Sequence, residues 1–182
     1  MKTDDSVQIP AKAPAEGISE DGYLIDQDCF SSVSYRTISA DKNGCGFLAA
    51  YNLRHALGHR VEWDDVRTEL DAMHKLRVPG PTLMSVMRTY LNRYVPGWIE
   101  TVGRENALDA AGASRAGIFR YREEFVPHFV CFVRQPDGQY RFFNVNEGLE
   151  DFVMSMRQFG DEHFQRGPVI ALTVPNPEQN GA

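Results

Sequence analysis

Apolar residues in the first half of the chain recur at the spacing of an amphipathic or buried helix. Three segments show this pattern, namely CGFLAAYNLRHAL, EWDDVRTELDAMHKL and PTLMSVMRTYLNRYV. Gly58 follows the first segment and Pro81 opens the third, which are common stop and start signals of helices. The pattern therefore predicts three consecutive helices.

The second half of the chain changes to short apolar runs that are typical of strands. These runs are WIETV, AGIFRY, HFVCFVR, QYRFFNV and PVIALTV, with a short Ala-rich helix predicted over residues 104 to 113. Helices followed by strands predict an α+β fold class, with N-terminal helices packed on a C-terminal antiparallel β-sheet.

The runs HFVCFV and RFFNV are almost continuously apolar, which predicts strands covered on both faces. The sequence PDG between them suits a three-residue hairpin loop, in which Gln135 would pair with Gln139. With that register, His128, Asn144 and Asn146 lie on the same face of the sheet.

Length and composition predict one domain and exclude several kinds of partner. The chain has 182 residues, 42% of them hydrophobic, with a net charge of -6 and no basic block, so nucleic acid is not expected to bind. Neither a secretion signal nor an apolar membrane span is evident, which predicts a cytoplasmic protein without a membrane partner. We expect one domain over residues 21 to 175, flexible segments at 1 to 20 and 176 to 182, and an undetermined oligomeric state.

The cysteines and histidines do not suggest a metal or a disulfide framework. Cys29, Cys45 and Cys131 are odd in number and lack the close spacing of zinc ligands. His55 and His59 are four apart, but no third ligand lies at a suggestive spacing. The sequence thus predicts reduced thiols, with neither a metal nor an organic cofactor.

Cys45 is the strongest candidate for a reactive group. It opens the first predicted helix, where free N–H groups and the positive end of the helix dipole stabilise a thiolate. Its own N–H would also point to the oxygen of an attacked carbonyl. Asn43 and Gly44 suit the turn before the helix, and Cys45 is therefore predicted to be a nucleophile.

A cysteine nucleophile needs a general base and a group that orients this base. His128 opens a predicted central strand, which makes it the candidate base. Asn144 lies near the end of the next strand and could accept a hydrogen bond from the imidazole. Asn146, directly opposite His128 in the predicted register, is the alternative orienting residue.

The segments NGCG, PHFV and FFN, in that order, resemble the papain-like cysteine peptidase superfamily. Compact size and the step from His128 to Asn144 are most similar to the bacterial branch that includes the bacteriocin-leader peptidases, which cut after double-glycine leaders. The resemblance implies a papain-like fold with Cys45, His128 and Asn144 as a catalytic triad. It also implies a peptide or protein substrate.

The chain departs from that branch at the oxyanion hole. The branch usually has a Gln six residues before the nucleophile, where this chain has Ser39. Asn43 or Ser39 would then have to supply the second donor, or the Cys45 N–H would act with less support. Gly44, beside them, is a further candidate for contact with the oxyanion or the substrate. The sequence leaves three functions open: a cysteine peptidase, a transglutaminase or deamidase, and a weakly catalytic module that binds a peptide or protein.

Overall fold

A computed structural model describes residues 15–75, 78–123, 126–145 and 152–176. The helices are α1 (Ala40–Asn43), α2 (Cys45–Ala56), α3 (Trp63–Met73), α4 (Met84–Tyr94), α5 (Arg104–Gly112) and α6 (Met156–His163). The strands are β1 (Ser34–Tyr35), β2 (Ile38–Ser39), β3 (Ile99–Val102), β4 (Ser114–Glu123), β5 (Val126–Arg134), β6 (Tyr140–Phe143), β7 (Phe152–Met154) and β8 (Ile170–Pro175). Two short 3-10 helices, Ala15–Gly17 and Gln27–Phe30, precede β1.

Within these residues, six strands form one antiparallel sheet in the order β3-β8-β4-β5-β6-β7. The strands β5 and β6, which contain the two continuously apolar runs, each lie between two neighbours, as the sequence predicted. The predicted hairpin register is also confirmed, because the N–H of Gln135 donates to the carbonyl of Gln139 at 2.8 Å. The loop closes through Gly138, whose φ of 85° suits glycine.

Side chains alternate between the two faces of the sheet and build a separate apolar layer on each. On one face Phe129 and Cys131 of β5 are buried against α2, while α3 and α4 pack around that helix. On the other face Phe132 belongs to a layer with α5 and α6. In this layer the rings of Phe142 and Phe159 stack with 3.9 Å between their centroids. The predicted α+β class, with helices packed on an antiparallel sheet, is confirmed.

Helix α2 runs through the interior, and every residue from Cys45 to Leu53 is buried. Its small and apolar side chains permit this, since a helix that is apolar on all sides belongs in a core. In contrast, α3 buries only Trp63, Val66 and Leu70, at the spacing of one helical face. The nucleophile candidate is therefore fixed by the most deeply buried helix of the fold.

Some elements differ from the sequence-based predictions. Helix α4 begins at Met84 instead of Pro81, because Pro81 and Thr82 make contacts with Arg36 and Tyr35 in an extended segment. The short hairpin β1-β2, strand β7 and helix α6 were not predicted. A capping sequence, Ser-x-x-Gln, marks α6: the Ser155 hydroxyl accepts from the Gln158 N–H at 3.1 Å.

No helix in the described part of the chain combines the length and the apolar character that crossing a membrane requires.

Candidate active site

A break between two helices places Cys45 at a helix N-terminus. Helix α1 ends at Asn43, Gly44 forms the turn, and α2 begins at Cys45. The N–H of Gly44 donates to the Ala40 carbonyl at 2.7 Å, and a Cβ on Gly44 would lie 2.5 Å from that same oxygen. Glycine therefore permits the close turn that interrupts the helix just before the cysteine.

The Cys45 thiol is buried, with 4% of the residue exposed. Burial raises its pKa to about 11, and the charge of Glu123 acts in the same direction. The main-chain N–H groups of Phe129, Gly46 and Cys45 itself face the sulfur and lower the pKa, but by less than burial raises it. The cysteine is consequently a neutral thiol in this structure, with donors already arranged around a future thiolate.

The His128 imidazole is held by a main-chain acceptor. Its Nε2 donates to the carbonyl oxygen of Asn144 at 2.6 Å, and the ring forms a T-shaped contact with Tyr121 at 5.8 Å between centroids. Because a carbonyl can only accept, Nε2 carries the hydrogen and Nδ1 keeps its lone pair. Burial lowers the pKa of His128 to about 4, although the hydrogen bond to Asn144 opposes the shift.

Cys45 and His128 line the same cleft, a cavity of about 440 Å³. Phe129, whose N–H reaches the Cys45 sulfur, directly follows His128 on β5. The other lining residues come from the segment before β1, from β2 and α1, from the loop before α4 and from the β4-β5 hairpin: Gln27, Ile38, Lys42, Asn43, Gly80, Pro81, Glu123, Val126 and Pro127. A group bound in this cleft has access to both the thiol and the imidazole.

Asn144 contributes through its backbone, whereas the sequence predicted an interaction of its side chain with His128. The residue has a φ of 65°, a left-handed conformation that asparagine tolerates better than most residues. This turn directs the carbonyl to His128 and the amide side chain to Gln27 instead. Asn146, the alternative orienting residue, lies outside the described residues.

Gln27 and Asn144 form a reciprocal pair of hydrogen bonds across 117 positions of sequence. The Gln27 N–H donates to Asn144 Oδ1 at 3.0 Å, and Asn144 Nδ2 donates to Gln27 Oε1 at 3.3 Å. The Asn144 N–H also donates to the Ile25 carbonyl at 3.0 Å. These bonds fix the left-handed turn, and with it the carbonyl that holds His128.

Two of the three residues that the sequence proposed as oxyanion donors have their donors engaged elsewhere. Both hydrogens of Asn43 Nδ2 are used, on the carbonyls of Tyr35 at 2.9 Å and Gly80 at 3.1 Å. The N–H of Gly44 is bonded within the turn. The side chain of Asn43 therefore presents only its acceptor oxygen, which has no hydrogen-bond partner among the described residues.

Ser39, the third proposed donor, does not line the cleft. Its hydroxyl interacts with the Asp41 carboxylate and is the largest cause of the lowered pKa of Asp41. The Ser39 side chain would therefore have to move before its hydroxyl could donate to a substrate in the cleft.

Gln27 is a cleft residue that the sequence did not reveal. Its Nε2 donates to the Asp41 carbonyl at 3.0 Å, which in an uninterrupted helix would accept from the N–H of Cys45. An amide nitrogen carries two hydrogens, so the second remains for a ligand in the cleft. No local pattern marks Gln27, because its partners Asp41 and Asn144 are distant in sequence.

All three cysteines are free thiols. Cys131 is fully buried beneath α2, as expected of a core residue, and Cys29 is only partly buried. Within the described ranges, no three His, Cys, Asp or Glu side chains are grouped as metal ligands.

Comparisons with known proteins give limited information. No family model matches the chain, and no curated protein matches it. Among solved structures, the chain aligns with the peptidase domain of Streptococcus ComA, a bi-functional ABC transporter involved in a quorum-sensing pathway. The alignment has a TM-score of 0.49 and 12% identity over 74% of this chain and 93% of that chain. A likeness at this level does not establish a common activity.

Proposed function

We propose that the protein is a cysteine-dependent acyl-transfer hydrolase that acts on peptides or proteins, with Cys45 as nucleophile and His128 as general base. One observation carries this proposal. The thiol at the start of α2 and the imidazole held by the Asn144 carbonyl line one cleft. A thiol and a base are the two groups that nucleophilic attack by a cysteine uses.

The proposed first step is an attack of the Cys45 sulfur on a substrate carbonyl carbon. As the S–C bond forms, the thiol proton moves to Nδ1 of His128, the ring nitrogen that is not bonded to Asn144. The negative oxygen that develops would be stabilised by the N–H of Cys45 and by the second hydrogen of Gln27 Nε2. The C–N bond then breaks, and the amine leaves with the proton from His128.

In the proposed second step, water attacks the thioester on Cys45 and gives its proton to His128. The S–C bond breaks, and the thiol regains this proton as the carboxylic acid is released. The steps need no metal or organic cofactor. Free thiols at all three cysteines fit a reducing compartment, and we propose the cytoplasm as the location.

The protonation states of Cys45 and His128 indicate that catalysis by the unliganded site is slow. A thiol with a pKa of about 11 and an imidazole with a pKa of about 4 are both neutral near pH 7. A base with so low a pKa accepts a proton poorly, because efficient general bases titrate near the working pH. We therefore expect acylation to be slow until a substrate changes the surroundings of His128.

These same pKa values favour a second candidate function, a weakly catalytic module that binds a peptide or a protein in the cleft. A transglutaminase or a deamidase would use the same acyl-enzyme chemistry with a different acceptor or leaving group. Hydrolysis is preferred because water is the simplest acceptor for the thioester.

Acylation by an activated ester tests the proposal without a known substrate. The full chain would be incubated with p-nitrophenyl acetate at pH 7.5, and intact mass and peptide mapping would locate the acetyl group. We expect acetylation of Cys45, its loss in Cys45→Ala, and a rate about 100-fold lower in His128→Gln. Cys29→Ser, which removes a thiol outside the cleft, is the matched control and should behave as the wild type.

Acetylation of Cys29 alone, or equal rates for wild type and His128→Gln, would refute the hydrolase proposal. If Cys45 is acylated, incubation of the protein with a peptide mixture, with and without added amines, shows which reaction follows. New peptide ends indicate hydrolysis, amine adducts indicate transfer, and conversion of Gln to Glu indicates deamidation.

A further inference from the structure

A second cavity lies next to the Cys45 cleft, on the other side of a wall formed by Gly80 and Pro81. Its volume is about 600 Å³, and both wall residues line the two cavities. Arg36 and His74 form part of its interior. We refer to it as the Arg36 cavity.

Arg36 is a buried cation that has no anionic partner among the residues that the structure describes. Only 4% of the residue is exposed, and its Nη1 donates to the carbonyl of Pro81. Its Nε is buried and has no hydrogen-bond partner, and no ion pair joins Arg36 to a carboxylate in the ranges that the structure describes. A buried guanidinium is costly unless it is paired, which points to a partner that binds from outside.

None of the described groups around Arg36 forms an ion pair with it. His74 uses both ring nitrogens, with Nδ1 donating to the Leu70 carbonyl at 2.8 Å and Nε2 accepting from the Leu83 N–H at 3.3 Å. It is therefore neutral. Asp71 influences His74 electrostatically without forming an ion pair with Arg36, while the exposed Lys75 adds a second positive charge at the cavity.

The rest of the cavity provides apolar surface and room beside the guanidinium. Val78 and Leu83 line it and are 49% and 51% exposed, which is unusual for large apolar side chains. A Cβ on Gly80, whose φ is 143°, would lie 3.5 Å from Arg36 Nη1. A side chain at this position would therefore pack directly against the guanidinium.

We propose that the Arg36 cavity binds a carboxylate of the peptide substrate together with an adjacent apolar side chain. This proposal rests on the proposed function and adds a substrate class to it. Arg36 would supply charge-assisted hydrogen bonds, which fix the position of a planar carboxylate, and Val78 and Leu83 would contact the apolar group. The shared wall would then direct the bound chain toward Cys45.

Binding of small blocked peptides to the full-length Cys45→Ala variant tests this site without turnover. The probes are two acid and amide pairs: Ac-Leu-Glu-NH2 with Ac-Leu-Gln-NH2 for a side-chain carboxylate, and Ac-Ala-Leu-OH with Ac-Ala-Leu-NH2 for a terminal one. In at least one pair, we expect the acid to bind about ten-fold or more tightly than its amide. The pair that shows the difference identifies the source of the carboxylate.

Two substitutions in the Cys45→Ala background test whether Arg36 causes the preference for acids over amides. Arg36→Gln should remove the difference between acid and amide, whereas Lys75→Gln, which removes an exposed cation at the same cavity, should retain most of it. Backbone NMR shifts of Val78 and Gly80 on titration give a second measurement that needs no Arg36 variant, should that variant fail to fold.

Equal affinity for acids and amides, equal losses in both variants, or shifts confined to another surface would each overturn the proposal. The proposed activity can fail separately. If acids bind at the Arg36 cavity but wild-type Cys45 is never acylated, the carboxylate site stands and the hydrolase proposal is refuted.

Discussion

The Nε2 of His128 donates a 2.6 Å hydrogen bond to the main-chain carbonyl of Asn144. A backbone acceptor orients the imidazole without depending directly on the chemistry of the Asn144 side chain. The side chain instead ties the turn to Gln27. The carbonyl of Asn144 thus orients His128, while its side chain stabilises the turn, and mutation of Asn144 can distinguish these two roles.

Replacing Asn144 with Gly should preserve acylation of Cys45 within about ten-fold, since glycine keeps the left-handed turn and the carbonyl. The variant loses the two hydrogen bonds to Gln27, which we expect to lower the free energy of unfolding by about 1–3 kcal/mol. Acetylation kinetics and urea denaturation measure the two effects. A loss of rate as large as that of His128→Gln would show that the amide side chain is required after all.

The depressed pKa of His128 should make the folded state less stable in mild acid. The unfolded chain binds a proton near pH 6.5, whereas the folded chain binds it only near pH 4, so stability falls as the pH falls through this window. The expected loss is about 3 kcal/mol between these limits. Urea midpoints of wild type and His128→Gln at pH 6.5 and 4.5 separate the effect of this imidazole from that of the carboxyl groups. Identical pH slopes for the two proteins would contradict the prediction.

Cys45 should react with iodoacetamide slowly at neutral pH. With a pKa of about 11, its thiolate fraction at pH 7 is about one in 10,000, and the alkylation rate should rise about ten-fold per pH unit up to about pH 10. Mass spectrometry of the Cys45 peptide gives the rate at each pH. A plateau that begins below pH 8 and disappears in His128→Gln would instead demonstrate a thiolate–imidazolium pair in the resting protein.

Gly46→Ala should destabilise the start of α2. A Cβ there would overlap the side chain of Thr82, which is buried and hydrogen bonded to the Tyr35 hydroxyl at 2.7 Å. Such overpacking typically costs about 1–3 kcal/mol. Gly112→Ala is the matched control, because nothing lies within 4 Å of its added Cβ, and thermal denaturation should show it to be at least as stable as the wild type.

The amino-acid sequence determined the local structure around the site. Apolar spacing predicts α2, β5 and β6, because the buried residues of a helix or a strand recur at a spacing typical of that element. The PDG loop fixes the register of the β5-β6 hairpin, because the residues that pair across it are only a few positions apart in sequence. The sequence also places the start of α2 at Cys45, directly after Gly44, although the Asn43 side chain does not cap this helix and bonds to Tyr35 and Gly80 instead.

Tertiary structure decided which groups complete the site. The left-handed turn at Asn144 is held by Ile25 and Gln27, and the turn determines whether a carbonyl or an amide meets His128. The donors of Asn43 are consumed by Tyr35 and Gly80, and burial sets the pKa values of both Cys45 and His128. Apart from Tyr35, which is eight residues from Asn43, these partners are distant in sequence. The energy of a hydrogen bond or a buried charge depends on groups that only the folded chain brings together.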